Sequence, residues 1–400
     1  MQPSKVPSID DIYIVDDTLW NELIELTEGA AALCYHCGVC TAVCPWGLFA
    51  GNSLSIRSMI RGAQLGHYAQ DASLWLCTTC DQCSAYCPRG VDVPQIIRVL
   101  RSMVWKNQKP QKGLPSLLWS VYWNNNPWTQ PPSQRSNWIG GVEVPLFDPD
   151  QHEILFYVGC TSSYDRRAQK IALSLVGIFR AAGVRFGYLG EEEPCCGESV
   201  LSIGHLPYFR DIASNTAKKF QELGVTDFVT ISPHCYDVFK NHYPDLGDRI
   251  KPLHYTQYLV DLMRDGRLSM STTVKKRVTF QDPCYLGRHN GIFDAPRTVI
   301  NAIPGIDCVE MADSYLDGLC CGGGGGRMWL ETEAGERFSD SRIQQARDTN
   351  SDYLVTACPF CVGCLEDSAK SINGCEMQVF DLAEVVAQAL EPIKQRGIHG

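Results

Sequence analysis

The chain has 400 residues and a formal net charge of −10, enough length for two or three ordinary domains. Its acidic balance, with no Lys/Arg block, argues against nucleic-acid binding, which needs a basic face to displace phosphate counterions. Twenty cysteines are the outlier: residues 1–5 lead into no apolar signal core, so a reducing, cytoplasmic compartment is expected, where clustered thiols stay free for soft metals.

No apolar run reaches the roughly 18 residues of a membrane span. The stretch from Ile171 to Val184 comes nearest and is broken by Arg180, so no direct span is expected and membrane association would go through a partner subunit.

In chain order, the first signal is C-x2-C-x2-C-x3-C-P at Cys34, Cys37, Cys40 and Cys44, followed by Pro45. It returns at Cys77, Cys80, Cys83 and Cys87, followed by Pro88. In two-cluster ferredoxins the fourth cysteine of each motif crosses to the other cluster. The pattern therefore predicts two [4Fe-4S] cubanes, one held by Cys34, Cys37, Cys40 and Cys87, the other by Cys77, Cys80, Cys83 and Cys44. Zinc also accepts four thiolates, but its structural sites use separated C-x2-C knuckles rather than a triplet with a trailing Cys-Pro. Between the motifs, apolar residues at 54, 56, 59 and 60 have helical spacing. Residues 1–104 are thus expected to form an α-helical ferredoxin-type domain.

Residues 105–150 change character: Pro, Asn, Gln and Ser gather around Trp119, Trp123, Trp128 and Trp138. Turn chemistry without periodicity predicts a linker or arm. Its rings are expected to pack on the chain's own domains; the alternative is a strap gripping a partner.

The remainder repeats itself at an offset of about 125 residues. Strand-like runs ending at Cys160 and Cys284, the Cys195-Cys196-Gly197 and Cys320-Cys321-Gly322 triplets, and the segments ending at Cys235 and Cys361 recur in order, followed by strands entering helices near Leu253 and Gln378. Helical stretches such as Arg167 to Ala182 and Pro207 to Leu223 alternate with them. The fold class expected is therefore α/β, a tandem pair of small parallel-sheet domains over 151–272 and 273–400 behind the ferredoxin domain. Ligands in such sheets collect beyond the strand C-termini, where these cysteines fall, so each set is expected to converge. The second repeat has five: Cys284, Cys320, Cys321, Cys358 and Cys361. A cubane needs four, which leaves the fifth to bridge an opened cluster or stay free. The first has Cys160, Cys195, Cys196 and Cys235, with Ser232 where Cys358 stands; a cluster, zinc or nothing at all is compatible with that set.

These residues resemble the CCG domain, which occurs twice in the catalytic subunit of heterodisulfide reductase. The dicluster module followed by two CCG domains is similar to the fused form of that subunit and to iron–sulfur subunits of sulfite-reduction-associated complexes. Asp282-Pro-Cys-Tyr-Leu-Gly-Arg and Cys320-Cys-Gly-Gly-Gly-Gly-Gly-Arg-Met-Trp also look like iron–sulfur oxidoreductases paired with electron-transferring flavoproteins or benzoyl-CoA reductases. The resemblance implies a non-cubane [4Fe-4S] cluster on the five cysteines, catalysing disulfide cleavage in one-electron steps. Ser232 departs from the pattern and weakens the expectation of that substrate.

Gly322 to Gly326 lack the strand-to-helix setting of a nucleotide loop; Gly322 and Gly323 are read instead as letting backbone N–H groups approach a cluster. His289, five residues after Cys284, is a candidate to protonate a leaving thiolate or tune a cluster, ahead of His234 and His205. Cys308, Cys364 and Cys375 lie outside the repeat's register and are unassigned. No hydrolase or nucleotide-triphosphatase motif is present.

The function expected is an electron-transfer subunit of an anaerobic redox complex. Two cubanes would feed, or be fed by, a CCG-bound cluster that exchanges electrons with a disulfide, a thiol or a partner's cofactor. The partner would be a flavoprotein or a quinone-linked membrane subunit. The alternatives are a pure relay without a substrate site, and a zinc-stabilised CCG scaffold behind a redox-active ferredoxin domain.

Overall fold

A computed structural model of the chain describes residues 17–49, 54–67, 72–107, 110–243, 250–332 and 335–390; the reading of residues 1–5 falls outside them. The two N-terminal motifs wind alike. His36 and Gly38 in the first, and Thr79 and Asp81 in the second, all take positive φ on either side of the motif's second cysteine, which curls each triplet around a centre. Between the motifs, helix Ile56–Gln64 is capped by Ser55 and buries Ile56, Met59, Ile60 and Ala63, one face at helical spacing. After the second motif, Asp92 caps helix Val93–Lys106 by accepting from Gln95 N at 2.8 Å.

The tryptophan-rich stretch departs from the expected linker: Leu114–Asn124 is helical, started at Gly113 with Pro115 in its first turn and ended by left-handed Asn125. Trp138 packs edge-on against Phe156 and Tyr188, and Trp128 against Trp329. Trp119 and Trp123 do not follow them; they are 62% and 70% exposed.

Each repeat forms a four-stranded parallel sheet. The first holds β1 (Ile154–Tyr157), β2 (Phe186–Gly187), β3 (Asp227–Thr230) and β4 (Lys251–His254) in the order β2-β1-β3-β4. The second holds β5 (Lys276–Gln281), β6 (Ile306–Cys308), β7 (Tyr353–Thr356) and β8 (Gln378–Asp381) in the order β6-β5-β7-β8. The repeats are related by a pseudo-two-fold. Helix Gln169–Ala181 of the first packs on helix Leu382–Gln388 of the second, and helix Tyr255–Arg264 packs on helix Asp294–Asn301; exchanging the repeats turns one contact into the other. One apolar core, including Phe156, Phe179, Val278 and Val386, runs through both sheets.

Near this seam the Tyr255 hydroxyl donates to Asp381 Oδ1 at 2.7 Å. Burial pushes the Asp381 carboxyl up to about 8, against the opposing hydrogen bond from Tyr255. The folded chain therefore keeps a proton there that the unfolded chain releases near pH 4. The resulting stabilisation is present in acid and is lost as pH rises from about 4 to about 8. Thermal midpoints measured across that window should fall less steeply in Asp381→Asn; equal slopes in the two proteins would refute the assignment.

Candidate iron–sulfur centres

Two cavities lie in the N-terminal domain. One is lined by Cys34, Cys37, Cys40 and Cys87, walled by Ile60, Val91 and Val93. The other is lined by Cys44, Cys77, Cys80 and Cys83 beside Trp46, Leu54, Ile56 and Phe338. In each, three cysteines come from one motif and the fourth from the other. Burial pushes the Cys44 thiol up to about 12 and that of Cys83 well above its usual range. Thiols so placed ionise only against a nearby cation, which the irons of a cluster supply. Exposure falls inward, from exposed Cys37 to buried Cys77 and Cys80.

The five cysteines of the second repeat converge. Cys284 follows β5, Cys320 and Cys321 sit on the loop before the glycine run, and Cys358 is the N-cap of helix Pro359–Ser371 with Cys361 in its first turn. All five are buried. The thiols form a contact series from Cys284 to Cys320 to Cys321. It continues from Cys321 to Cys361, with sulfurs 3.3 Å apart, and on to Cys358. Burial opposes ionisation of Cys358, but hydrogen bonds with Cys361 and His234 prevail and hold its thiol down at about 5, as a helix N-terminus also favours. Gly322 N–H donates to Cys320 Sγ at 3.3 Å.

The same loop docks on the N-terminal domain. Cys320 Sγ lies 3.8 Å from Thr78 Oγ1 across the domain boundary, and Arg288 Nε donates to the Cys80 carbonyl at 2.7 Å. A Cβ on Gly324 would lie 2.4 Å from the Thr78 carbonyl oxygen, and one on Gly325, at φ +63°, 2.3 Å from that of Cys77. The glycine run therefore serves close domain approach as well as a thiol. Gly325→Ala should destabilise the docked protein by about 2 kcal/mol or more, from overpacking and left-handed strain together. A denaturation midpoint unchanged from wild type would contradict this.

The four cysteines of the first repeat are buried and also form a series, Cys160 to Cys195 to Cys196, with Cys196 and Cys235 sulfurs 3.3 Å apart. Arg135 Nη2 donates to Cys160 Sγ at 3.6 Å and to Glu193 Oε1 at 2.8 Å, both inside the protein. Glu193 accepts in turn from Val158 N and Gly159 N. Asn125, at the end of the exposed-tryptophan helix, accepts from Cys195 N at 2.9 Å. Ser232 is buried at the place that Cys358 fills in the other repeat.

Between the two sets the space is taken by rings. His234 stacks on Tyr285 with centroids 3.9 Å apart, Tyr285 on His289 at 4.2 Å, and Phe360 lies 4.6 Å from His234. His234 and Phe360 occupy equivalent positions in the two repeats and meet at the pseudo-two-fold. His289 donates from Nε2 to the Thr79 carbonyl at 2.8 Å, whereas His234 is held by Glu198 at 3.1 Å and is close enough to Cys358 for that thiol to help raise its pKa. Sequence distance favours His289, but the facing repeats bring the first repeat's histidine onto the second repeat's thiol.

Comparison with known proteins gives the same division. A 4Fe-4S dicluster domain matches residues 30–91, and a cysteine-rich domain, CCG, matches residues 154–240 and 278–366. The chain is 32% identical to a subunit of the dihydromethanophenazine:CoB--CoM heterodisulfide reductase of Methanosarcina barkeri, over 75% of this chain and 74% of that one. The chain belongs to the heterodisulfide reductase-like CCG iron–sulfur oxidoreductases.

It is also 36% identical to the EtfAB:quinone oxidoreductase of Syntrophomonas wolfei and 35% to the probable iron-sulfur-binding oxidoreductase FadF of Bacillus subtilis, over 75% and 74% of this chain. This CCG oxidoreductase spans 44% of the length of each of those two relatives. Among the described residues no helix is long and apolar enough to cross a membrane. Nor is any group of three His, Cys, Asp or Glu arranged to hold a single metal ion.

Sequence reasoning missed Arg101, Arg135, Glu193 and Asn125. Arg135 and Asn125 sit in the stretch read as a linker, and no spacing ties them to a cysteine a few dozen residues away. The signal for His234 was available: it stands two residues after Ser232, where the other repeat has Phe360 two residues after Cys358.

Proposed function

We propose that this chain is an electron-transfer subunit with a route from the cysteines nearest the surface, Cys34, Cys37, Cys40 and Cys87, through Cys44, Cys77, Cys80 and Cys83, to the five cysteines of the second CCG domain. The observation that carries it is the docking of the second CCG domain on the inner ferredoxin site, where Arg288 Nε donates to the Cys80 carbonyl at 2.7 Å and Cys320 Sγ lies 3.8 Å from Thr78 Oγ1. [4Fe-4S] clusters, when bound, supply one-electron oxidation and reduction. The chain's own residues hold them apart from water, and Gly322 N–H and His234 aim donors at the thiols of the last site. At that end a disulfide, a thiol or a partner's cofactor would exchange the electrons, His234 rather than His289 being the side chain in reach of a thiol. The names of the relatives support a flavoprotein or a quinone-linked membrane subunit as neighbour.

A second reading, a relay without a substrate site between the CCG domains, is favoured by Ser232 and by the rings of His234, Phe360 and Tyr285 filling that gap. Zinc scaffolding of the CCG half is the third reading, which metal counts separate from the other two.

Anaerobic purification followed by iron, sulfide and zinc counts tests the route. About twelve irons per chain are expected for three clusters, and Cys284→Ser should lose about four of them, together with a paramagnetic signal of the thiol-treated form. Dye reduction through the N-terminal domain should survive. About eight irons with zinc in the wild type would end the proposal, and loss of dye reduction together with disulfide turnover would favour the relay.

A further inference from the structure

An open cavity of about 200 Å³ lies beside the glycine run, lined by Gly322 and Gly323, and reaches Cys321. Neither the route nor the repeat pattern accounts for it. One wall is apolar, built by Trp46, Phe338 and Leu330. Set into it is Arg327, only 7% exposed, with its guanidinium over the Trp46 ring at 5.0 Å and Nη2 donating to Thr332 at 3.2 Å. Arg135 and Arg297 are matched by Glu193 and Asp282, and buried Arg101, which lacks a carboxylate, gives all its donors to backbone carbonyls; Arg327 has one side-chain acceptor, Thr332. Arg327 has no carboxylate within ion-pair distance among the described residues. Burial accordingly lowers its pKa, with Glu336 acting in the opposite sense from a distance. A second donor faces the same space: helix Phe338–Arg347 begins at the cavity, and its N-cap, Arg337, provides no side-chain cap. Asp340 in its first turn accepts from Ser368. Exposed Asp367 and half-buried Glu336 complete the lining.

A buried, poorly compensated guanidinium beside an uncapped helix start is a site for negative charge, and the aromatic wall suits an apolar body. We infer that this cavity binds a small organic acid, its carboxylate on Arg327 and the start of helix Phe338–Arg347, its apolar body on Trp46 and Phe338, next to Cys321. Binding does not depend on the electron route, so the two readings fail separately.

The test is calorimetric titration of the anaerobically purified full chain with 2-naphthoate and, as a neutral match in shape, 2-naphthamide. Naphthoate should bind at least tenfold more tightly than the amide. Arg327→Gln should remove that preference and leave amide binding and iron content unchanged. Glu336→Gln, which removes a competing charge without touching the guanidinium, should tighten naphthoate two- to fivefold and keeps the test decisive if Arg327→Gln misfolds. Equal affinity for acid and amide in the wild type, no binding of naphthoate at millimolar concentration, or full acid preference in Arg327→Gln would each overturn the inference.

Discussion

Replacing Arg101 by methionine should lower the first thermal transition by roughly 10 °C, more than any ordinary core truncation in this chain. Arg101 lies on helix Val93–Lys106, fully buried, and all five of its guanidinium N–H groups donate to backbone carbonyls. Nε and Nη2 share Leu74 O, Nη2 also reaches Cys77 O at 2.8 Å, and Nη1 reaches Ser202 O at 2.7 Å and Gly325 O at 2.9 Å. Those carbonyls belong to the ferredoxin domain, the first repeat and the second repeat. An orphaned buried acceptor costs about 1–3 kcal/mol, so four of them, less the relief of no longer burying a charge, amount to about 3–5 kcal/mol. Burial holds the Arg101 pKa down to about 10, still charged at neutrality. Arg101→Lys keeps the charge but loses the fork, and should recover less than half of the loss. A wild-type midpoint for Arg101→Met would show that the three domains do not depend on this residue.

The second large effect is expected at the first CCG site. Arg135→Met leaves Glu193 inside the protein with no countercharge, which typically costs about 3–5 kcal/mol. The carboxylate would keep its bonds from Val158 N and Gly159 N, so the penalty is that of an unpaired charge rather than of an unbonded group. Arg135→Met combined with Glu193→Gln should regain about half of it. Denaturant midpoints of the two singles and the double give the coupling directly; strict additivity would mean the pair does not interact.

The fold was legible because it rests on local pattern. Two C-x2-C-x2-C-x3-C-P motifs, and a repeat whose strands end on cysteines, dictate helices, parallel sheets and convergence at the strand ends. The helix at Leu114–Asn124 was hidden because its cues are a glycine before it and a proline in its first turn, with aromatic residues all round and no apolar stripe. Contacts across domains left no trace in spacing. Thr79 and Tyr285, 206 positions apart, share a 2.7 Å hydrogen bond, and nothing about either residue alone points to the other. The choice between His234 and His289 turned on how the repeats face each other, a property of the pair rather than of either segment.

The docking of the glycine run over Cys77 and Thr78 also bears on how the protein is made. Residues 284–326 cover Cys77 and Cys80, yet they emerge from the ribosome some two hundred positions after those cysteines. Until those residues are made, nothing of the second repeat covers Cys77 and Cys80, and that side of the pocket closes only when the glycine run seats on the backbone of Cys77 and Thr78.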